Sequence, residues 1–375
     1  MVERLKFITF WVFRSMFGLV GLFCACQLGF GVVAVGIIIF LVIVTVRNIG
    51  DAEKPTRIIV IVLHVIIVRY NDIMQKILLY YKFTPIKDPE MLKLWQKTLC
   101  DSLNLHGRIL VSEQGINGTV GGELKDLKTY VRKTKEFPGF KDILWKWSEG
   151  GRSNFPRMSV KVKPELVAFA SYKDIKVDEK GVVGTGPHLK PHQVNELVEK
   201  YGDDVVFFDG RNKYEAAVGR FKNAVVPDTR TSRDFIPELE SGKYDDLKSK
   251  KVVTYCTGGV RCELLSAMMK QRGFEEVYQI DGGIVKYGEA YGDSGLWEGN
   301  LYVFDGRMGM NFSPDAKVIG ECIHCKGKTS NYENCANPAC NDLVLICEPC
   351  KKDPKKLYHT EACLKKEATH ETAKA

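Results

Sequence analysis

Charged residues are absent from residues 15–46, a long stretch that Arg14 and Arg47 bracket. Roughly 20 apolar residues suffice to cross a bilayer as a helix, and this stretch lacks a clear small-residue cleavage motif of the kind that ends a signal peptide. We therefore expect residues 1–72 to form a hydrophobic N-terminal extension that anchors the chain in a membrane. A cleaved targeting segment and an incorrectly assigned gene start are the alternatives.

The sequence also lacks the pattern of a disulfide scaffold, although it contains 12 cysteines. Seven of them fall between residues 322 and 363, mostly as closely spaced pairs, and Cys256 lies in a glycine-rich segment. Metal binding and catalysis explain this distribution better than disulfides do, and both favour a reducing compartment. With an anchor, the chain would lie on the cytoplasmic face of its membrane; organellar targeting is left open.

No nucleotide-cofactor motif is evident, and the sequence identifies no protein partner. What is present is an excess of positive charge, with a formal net charge of +8. Lys and Arg side chains can neutralise phosphates and release their counterions. The charge therefore suits a polyanionic partner, or a solvated basic surface beside a membrane.

A chain of 375 residues is long enough for two or three small domains. Residues 73–170 carry the order β-α-β-β-α-β, which predicts a ferredoxin-like α+β domain. Residues 171–192, rich in Gly, Pro and Lys, predict a linker. We expect an α/β domain with a parallel sheet over residues 193–300, a Cys-rich module over 301–365 and a disordered tail over 366–375.

Apolar periodicity places the helices and strands of both domains. In the first domain it predicts strand 78–83, helix 91–103, strand 108–112, a turn at 115–118 leading into strand 118–120, helix 123–134 and strand 158–162. In the second it predicts strands 205–209, 251–255 and 277–280 and helices 214–218 and 263–272. Ligand sites of parallel sheets lie at the carboxyl ends of the strands, and Cys256 directly follows one of these strands.

Cys256 begins a loop that is suited to hold a thiolate, because a strand, a glycine-rich turn and a helix direct backbone N–H groups and a helix dipole into one concavity. A thiolate there has a depressed pKa and is a better nucleophile, and Arg261 adds a fixed cation. We expect both glycines of the turn to supply unusual backbone angles. The predicted anion-binding loop consists of Thr257, Gly258, Gly259 and Val260. The alternative is a buried cysteine in an ordinary strand-to-helix turn.

This loop and the residues before it resemble rhodanese domains, in which the first cysteine of the loop carries a persulfide. Segments 209–215 (DGRNKYE) and 219–224 (GRFKNA) are similar to a rhodanese stretch that usually reads D-x-R-x-x-x-E and G-H-I-x-G-A. The resemblance implies supporting roles for Asp209 and Arg211. Four residues separate the cysteine of the loop from its arginine, which favours sulfur chemistry, because related phosphatases place the arginine one residue further on.

Three segments also resemble the oxygen-dependent tRNA uridine hydroxylase family: residues 107–119 (GRILVSEQGINGT), 256–263 (CTGGVRCE) and 303–307 (VFDGR). The resemblance implies conversion of a tRNA wobble uridine to 5-hydroxyuridine, with tRNA as partner and molecular oxygen as co-substrate. It implies that Cys256 is the essential thiol and that Cys262 is its resolving partner. The alternative for Cys262 is a helix-terminal residue that faces the core.

Two other functions fit the residues less completely. A sulfurtransferase would carry a persulfide on Cys256 and pass its sulfur to a thiol or to cyanide. A membrane-tethered binding module with a vestigial rhodanese fold would need no reactive thiol at all. The intact loop favours an enzyme over the binding module.

The C-terminal cysteines have the spacing of structural zinc ligands. A pair with two residues between its members lets two thiolates bind one tetrahedral ion from a single turn, and four such ligands close the site. The spacing permits one or two zinc ions without fixing how the ligands group, and a disulfide knot is the alternative. The predicted ligands are Cys322, Cys325, Cys335, Cys340, Cys347, Cys350 and Cys363.

Aromatic and basic residues alternate in segments 145–147 (WKW) and 152–157 (RSNFPR). This composition suits stacking on unpaired bases. Packing of the tryptophans in a core explains the same residues equally well, so the sequence assigns no site there.

Overall fold

A computed structural model of the chain describes residues 74–170, 174–340 and 342–365. The predicted anchor in residues 1–72 and the predicted tail over 366–375 lie outside these ranges. Within the described part of the chain, no helix has the length and apolarity that a membrane span requires. The described residues all belong to one compact unit.

Five strands form a mixed sheet in the first part of the described chain. They are β1 (Gln75–Phe83), β2 (His106–Ser112), β3 (Gly115–Glu123), β4 (Lys146–Glu149) and β5 (Met158–Val162). Their spatial order is β4-β1-β3-β2-β5, so the first four strands have the ferredoxin-like arrangement. The strand predicted at 158–162 is an added edge strand that pairs parallel to β2. The ferredoxin-like pattern closes instead on β4, which pairs antiparallel to β1.

The sheet buries both of its faces. Helices α1 (Pro89–Ser102) and α2 (Leu124–Thr134) cover one face. Successive side chains of a strand point to opposite faces. Accordingly, Leu78 and Tyr80 join the core beneath the two helices, whereas Leu79 and Tyr81 pack against residues of the second domain. Alternate side chains of β1 therefore pack the first sheet against the second domain.

The hairpin between β2 and β3 turns at Glu113 and Gln114, and the turn predicted at 115–118 is wrong. Residues 115–118 lie within β3, the central strand, which pairs with β1 on one side and β2 on the other. A Cβ atom on Gly118 would collide with the ring of Tyr80. These glycines allow close packing in a central strand. A sequence pattern does not distinguish glycines of this kind from glycines of a turn.

A second, parallel sheet carries the cysteine loop. The strands of this region are β6 (Val177–Asp178), β7 (Gly181–Val182), β8 (His188–Leu189), β9 (Val205–Asp209), β10 (Gly219–Phe221), β11 (Lys251–Tyr255), β12 (Glu276–Ile280) and β13 (Trp297–Gly299). The parallel sheet has the order β8-β12-β11-β9, while β6 pairs with β7 and β10 with β13. Strand β8 lies in the segment predicted as a linker and pairs with β12.

Helices alternate with these strands, as expected for a parallel α/β sheet. They are α3 (Pro191–Tyr201), α4 (Lys213–Ala216), α5 (Phe235–Glu240), α6 (Val260–Gln271) and α7 (Gly283–Tyr291). Helix α6 begins three residues earlier than the predicted helix 263–272. Its first turn therefore contains Arg261 and Cys262.

The C-terminal part contains little regular structure. Its described residues form an antiparallel pair of strands, β14 (Tyr332–Asn334) with β15 (Leu343–Leu345), and the short helix α8 (Glu348–Lys351). Buried cysteines and Ile346 form a small core cluster of this part. So few apolar side chains suggest that another interaction stabilises the region.

Candidate active site

Cys256 lies between the carboxyl end of β11 and the first turn of α6. Its side chain is 0% exposed. Gly259 adopts a φ of 100°, caps α6 and donates its backbone N–H to Cys256 Sγ at 3.2 Å. Val260 opens the helix and packs against the adjacent hydrophobic core. The turn thus directs its N–H groups toward the sulfur.

The surroundings of Cys256 favour the thiolate. Burial alone raises the pKa of a thiol, because it penalises the charged form. Here a hydrogen bond from the Cys262 thiol, the charge of Arg261 and the backbone N–H groups of both residues outweigh burial and lower the pKa of Cys256 to about 5. Cys256 is therefore an anion at neutral pH.

Cys262 is the neutral partner of this pair. Burial, together with the hydrogen bond to Cys256 and the negative charge of that residue, raises the pKa of Cys262 well above its ordinary value. The protonated Cys262 thiol donates to the Cys256 sulfur. Cys262 thus both faces the core and contacts Cys256.

Arg261 is held by a buried ion pair with Glu215. Its Nη1 and Nη2 atoms donate to Glu215 Oε1 and Oε2 at 2.5 and 2.8 Å. Nη2 also donates to Thr257 Oγ1 at 3.3 Å. A bidentate pair fixes the plane of the guanidinium group. It also offsets much of the Arg261 charge with the carboxylate of Glu215.

A second buried ion pair, between Asp209 and Arg211, supports the first. Arg211 Nε and Nη2 donate to Asp209 Oδ1 and Oδ2 at 2.9 and 2.6 Å, and both side chains are fully buried. Arg211 also donates to the carbonyl oxygens of Gly219 at 2.7 Å and Glu215 at 3.3 Å. The pair therefore fixes the backbone that carries Glu215; the supporting role of Asp209 and Arg211 in the reaction stays a prediction.

The outer face of β1 lies directly on the cysteine loop. A Cβ atom on Gly258 would lie 2.7 Å from Leu79 Cδ2, and one on Gly259 would lie 2.9 Å from Tyr81 Oη. We expected unusual backbone angles at both glycines; Gly259 has a positive φ, and Gly258 does not. Gly258 is required instead for the close approach of the first sheet.

Glu263 connects three elements next to the loop. Tyr81 Oη donates to Glu263 Oε1 at 2.9 Å, and His188 Nε2 lies 2.9 Å from the same oxygen. Burial opposes the charge of Glu263, but the hydrogen bond and charge of His188 and the hydrogen bond of Tyr81 hold its pKa below the ordinary value. The hydrogen bond to Glu263 raises the pKa of His188. This contact fixes β1 and β8 against helix α6.

The predicted zinc ligands form two groups. In the first, the Sγ atoms of Cys322, Cys325, Cys347 and Cys350 all lie within 4.8 Å of one another. Tetrahedral coordination at a Zn–S distance of about 2.3 Å places sulfur atoms roughly 3.8 Å apart. The 3.5 Å between Cys325 Sγ and Cys347 Sγ fits that geometry. The four thiols therefore suit one tetrahedral ion.

The second group contains Cys335, Cys340 and Cys363, whose Sγ atoms also lie within 4.8 Å of one another. The ring atom His359 Nδ1 lies 3.5 Å from Cys340 Sγ, and the backbone N–H of His359 donates to Cys335 Sγ at 3.4 Å. Asp342 Oδ2 lies 3.6 Å from the same Nδ1 atom, so Cys340, Asp342 and His359 form a further group of donor atoms that shares Cys340 with the first three thiols. Three sulfurs and one imidazole nitrogen form a common donor set of structural zinc.

Comparisons with known proteins agree with this architecture. Residues 75–166 match the family described as "UPF0176 acylphosphatase like domain", residues 190–290 match "Rhodanese-like domain", and residues 298–365 match "Rhodanase C-terminal". The parallel sheet and its cysteine loop therefore define a rhodanese domain, set between an acylphosphatase-like domain and a C-terminal cysteine-rich part.

Similarity extends over most of the chain. A protein of Corynebacterium jeikeium named "tRNA uridine(34) hydroxylase" is 64% identical over 74% of this chain and 90% of its own length. Proteins of the same name from Corynebacterium urealyticum and an Arthrobacter species are 64% and 57% identical, over 74% and 77% of this chain and 94% and 99% of their own lengths. The chain belongs to the tRNA uridine(34) hydroxylase family.

Several residues of the site were not predicted from the sequence. Glu215 ends the quoted segment 209–215, and its acidic side chain was a signal that Arg261 has a partner. Lys146 and Phe304 lie in the quoted segments 145–147 and 303–307, but only the fold brings them to the loop. Trp145 packs against Tyr80 in the first core at a centroid distance of 4.6 Å, as the core alternative for 145–147 required.

Proposed function

We propose that this protein hydroxylates a wobble uridine of tRNA to 5-hydroxyuridine, with molecular oxygen as co-substrate and Cys256 as the essential thiol. The observation that carries the proposal is the buried Cys256 thiolate in a loop covered by the acylphosphatase-like domain, in a chain of this family. A rhodanese domain alone does not define a substrate. The printed names of the relatives supply the class of substrate, and the thiolate supplies a reactive centre.

The reaction needs two reducing equivalents besides oxygen. One oxygen atom enters the C–H bond at C5 of uridine and the other leaves as water, so two electrons and two protons must be supplied. The Cys256 thiolate and the Cys262 thiol hold the two electrons and one of the protons; their oxidation to a disulfide, with the second proton taken from water, balances the reaction. An external thiol would then reduce the disulfide and restore the enzyme. This assignment makes Cys262 the resolving thiol.

An exposed aromatic ring lies beside the loop and suits an unpaired base. Phe304 is 51% exposed, and the guanidinium carbon of Arg261 lies 5.8 Å from its ring centroid. Arg261 in turn contacts Thr257. Bases of single-stranded RNA stack on such rings. Phe304 therefore supports the proposal that a uridine of the anticodon loop is held next to Cys256.

We further propose that the C-terminal part binds two structural zinc ions. One would be held by the four-cysteine group around Cys322 and the other by the group around Cys335 with His359. The first donor set is complete with four thiols, and His359 beside Cys340 would add the fourth ligand to the second set, as is typical of structural zinc. Metal binding would supply the stability that the small apolar core of this part lacks.

The function is tested by nucleoside mass spectrometry of tRNA from a strain that lacks the gene. We expect 5-hydroxyuridine-type nucleosides to disappear, to return with the wild-type gene and to stay absent with Cys256→Ala. Unchanged nucleosides in the deletion strain would exclude the proposal. Thiosulfate-dependent thiocyanate formation without tRNA binding would favour the sulfurtransferase instead.

A further inference from the structure

Lys146 is a buried cation whose ammonium group has no hydrogen-bond partner among the described residues. The side chain is 1% exposed. Isolated buried charges are strongly unfavourable, so they are paired or serve a function. The buried ammonium group of Lys146 therefore requires a nearby anion to stabilise it.

The fold directs Lys146 at the cysteine loop. Lys146 lies opposite Leu79 in the antiparallel pair of β4 and β1, and directly opposite residues of such a pair share one face of the sheet. That face covers Gly258 and Gly259. A Cβ atom on Gly258 would lie 3.5 Å from Lys146 Cε, and Lys146 Nζ lies 4.7 Å from the ring centroid of Tyr81.

Charges around Lys146 identify the anion. Burial lowers the pKa of Lys146 to about 8; negative charge on Cys256 gives the largest opposing effect, followed by that on Asp281, while Lys286 lowers the pKa further and Glu263 raises it. The ammonium form therefore predominates at neutral pH. Cys256 is the anion that stabilises this ammonium most.

The other cation of the loop is already paired. Both guanidinium nitrogens of Arg261 that face Glu215 donate to its carboxylate, so much of that charge is compensated within the site. Lys146 lacks such a carboxylate partner among the described residues. Arg261 still lowers the pKa of Cys256 despite this pair, and Lys146 adds a second positive charge from the acylphosphatase-like domain.

We propose that Lys146 is a second counter-cation of the anionic sulfur at Cys256, beside Arg261, and so a positioning residue that the acylphosphatase-like domain supplies to the rhodanese loop. The ligand is the thiolate of Cys256, so this inference does not depend on the proposed function. This role explains why a rhodanese loop in this chain is covered by a second domain.

The test measures the thiolate itself. In the full-length zinc-loaded protein, alkylation of Cys256 by iodoacetamide is followed across pH by peptide mass spectrometry. Each rate is divided by the high-pH limit of the same variant, which removes differences in access to the buried sulfur. We expect Lys146→Met to raise the pKa of Cys256 by about one unit, which lowers the normalised rate about fivefold near the wild-type pKa and about tenfold well below it. Lys146→Arg should stay close to the wild type.

Lys286→Met is the matched control, because Lys286 is a neighbouring lysine that pairs with Glu289. It should change the Cys256 profile much less than Lys146→Met does. Methionine keeps most of the length and the apolar contacts of the lysine stem, so we expect the variant to fold, and its thermal midpoint is measured beside the alkylation profile. A stable Lys146→Met protein with less thiolate would separate this role from a structural one.

An unchanged Cys256 profile in folded Lys146→Met, or in Lys146→Gln if the methionine variant does not fold, would overturn the inference. A lower thermal midpoint with an unchanged profile would mean that Lys146 only supports packing. Assays of tRNA hydroxylation are run separately. A shifted Cys256 profile in a protein that modifies no tRNA would refute the proposed function and leave the role of Lys146 intact.

Discussion

Cysteines occupy two regions of this molecule with opposite surroundings. In the rhodanese loop, one sulfur is surrounded by backbone N–H groups and positive charge, with a single neutral thiol beside it. In the C-terminal part, sulfur is surrounded by sulfur, in two groups whose atoms lie within 4.8 Å of one another. The first arrangement stabilises one reactive anion. The second repels several thiolates unless a cation joins them.

The comparison shows that the reactivity of a thiolate depends on which groups stabilise its negative charge. A metal ion uses the lone pairs of its ligands and leaves them unreactive, whereas N–H groups stabilise the Cys256 thiolate and leave it free to react. The two regions should therefore fail in different ways when a cysteine is replaced.

Cys256→Ser should abolish hydroxylation and leave the fold intact. We expect tRNA modification to fall at least about a thousandfold, as for loss of a nucleophile. Zinc content and the thermal midpoint should stay near the wild-type values. A decrease in tRNA modification of less than tenfold would contradict the role of Cys256 as the essential thiol.

Cys322→Ser should have the opposite effect. We expect loss of about one zinc ion per chain and unfolding of the C-terminal part, because metal binding and folding are coupled. Elemental analysis and limited proteolysis would measure these changes. Cys100→Ser is the matched control, since Cys100 is buried in the first domain, away from either group. An unchanged zinc content in Cys322→Ser would remove Cys322 from the ligand set.

Glu215→Gln should destabilise the rhodanese domain by about 3 kcal/mol, because it leaves the buried Arg261 without its carboxylate. Chemical denaturation would measure the change. Glu276→Gln breaks an exposed ion pair with Lys251 and should cost less than about 1 kcal/mol. Equal costs for the two variants would mean that the Arg261 pair contributes no more than a surface contact.

Alkylation of single cysteines should separate their pKa values. Cys256, with a pKa near 5, should react with iodoacetamide down to mildly acidic pH. As the pH falls through its pKa, the thiolate is lost and the rate should fall about tenfold per unit. Burial raises the pKa of Cys100 to about 12, so Cys100 should stay unreactive at neutral pH. A Cys256 profile with its midpoint near that of a free thiol would contradict the lowered pKa.

Phe304→Ala should weaken tRNA binding without affecting the thiol. Loss of one stacked base costs roughly 1–3 kcal/mol, so we expect KM for tRNA to rise at least fivefold or so, while the Cys256 alkylation profile stays the same. Phe304→Tyr should preserve binding. An unchanged KM in Phe304→Ala would exclude Phe304 as the stacking platform.

The sequence predicted the reactive loop better than its surroundings. Strands 205–209 and 251–255 were predicted with the bounds that the structure shows, because short apolar runs bounded by turn residues mark buried strands. The turn at 115–118 was misplaced because glycine serves close packing as well as turns. The burial of Lys146 was not predictable, since it results from contact between two domains that lie far apart in the sequence.

Incorporation of heavy-isotope oxygen gas into tRNA by the purified full-length protein tests the role of Cys256 most directly. The wild-type protein, supplied with unmodified tRNA and a thiol reductant, should place one labelled oxygen atom at C5 of the wobble uridine. Cys256→Ser should place none. Equal labelling by both proteins, or labelled water without labelled tRNA in the wild type, would contradict a thiolate-centred uridine hydroxylase.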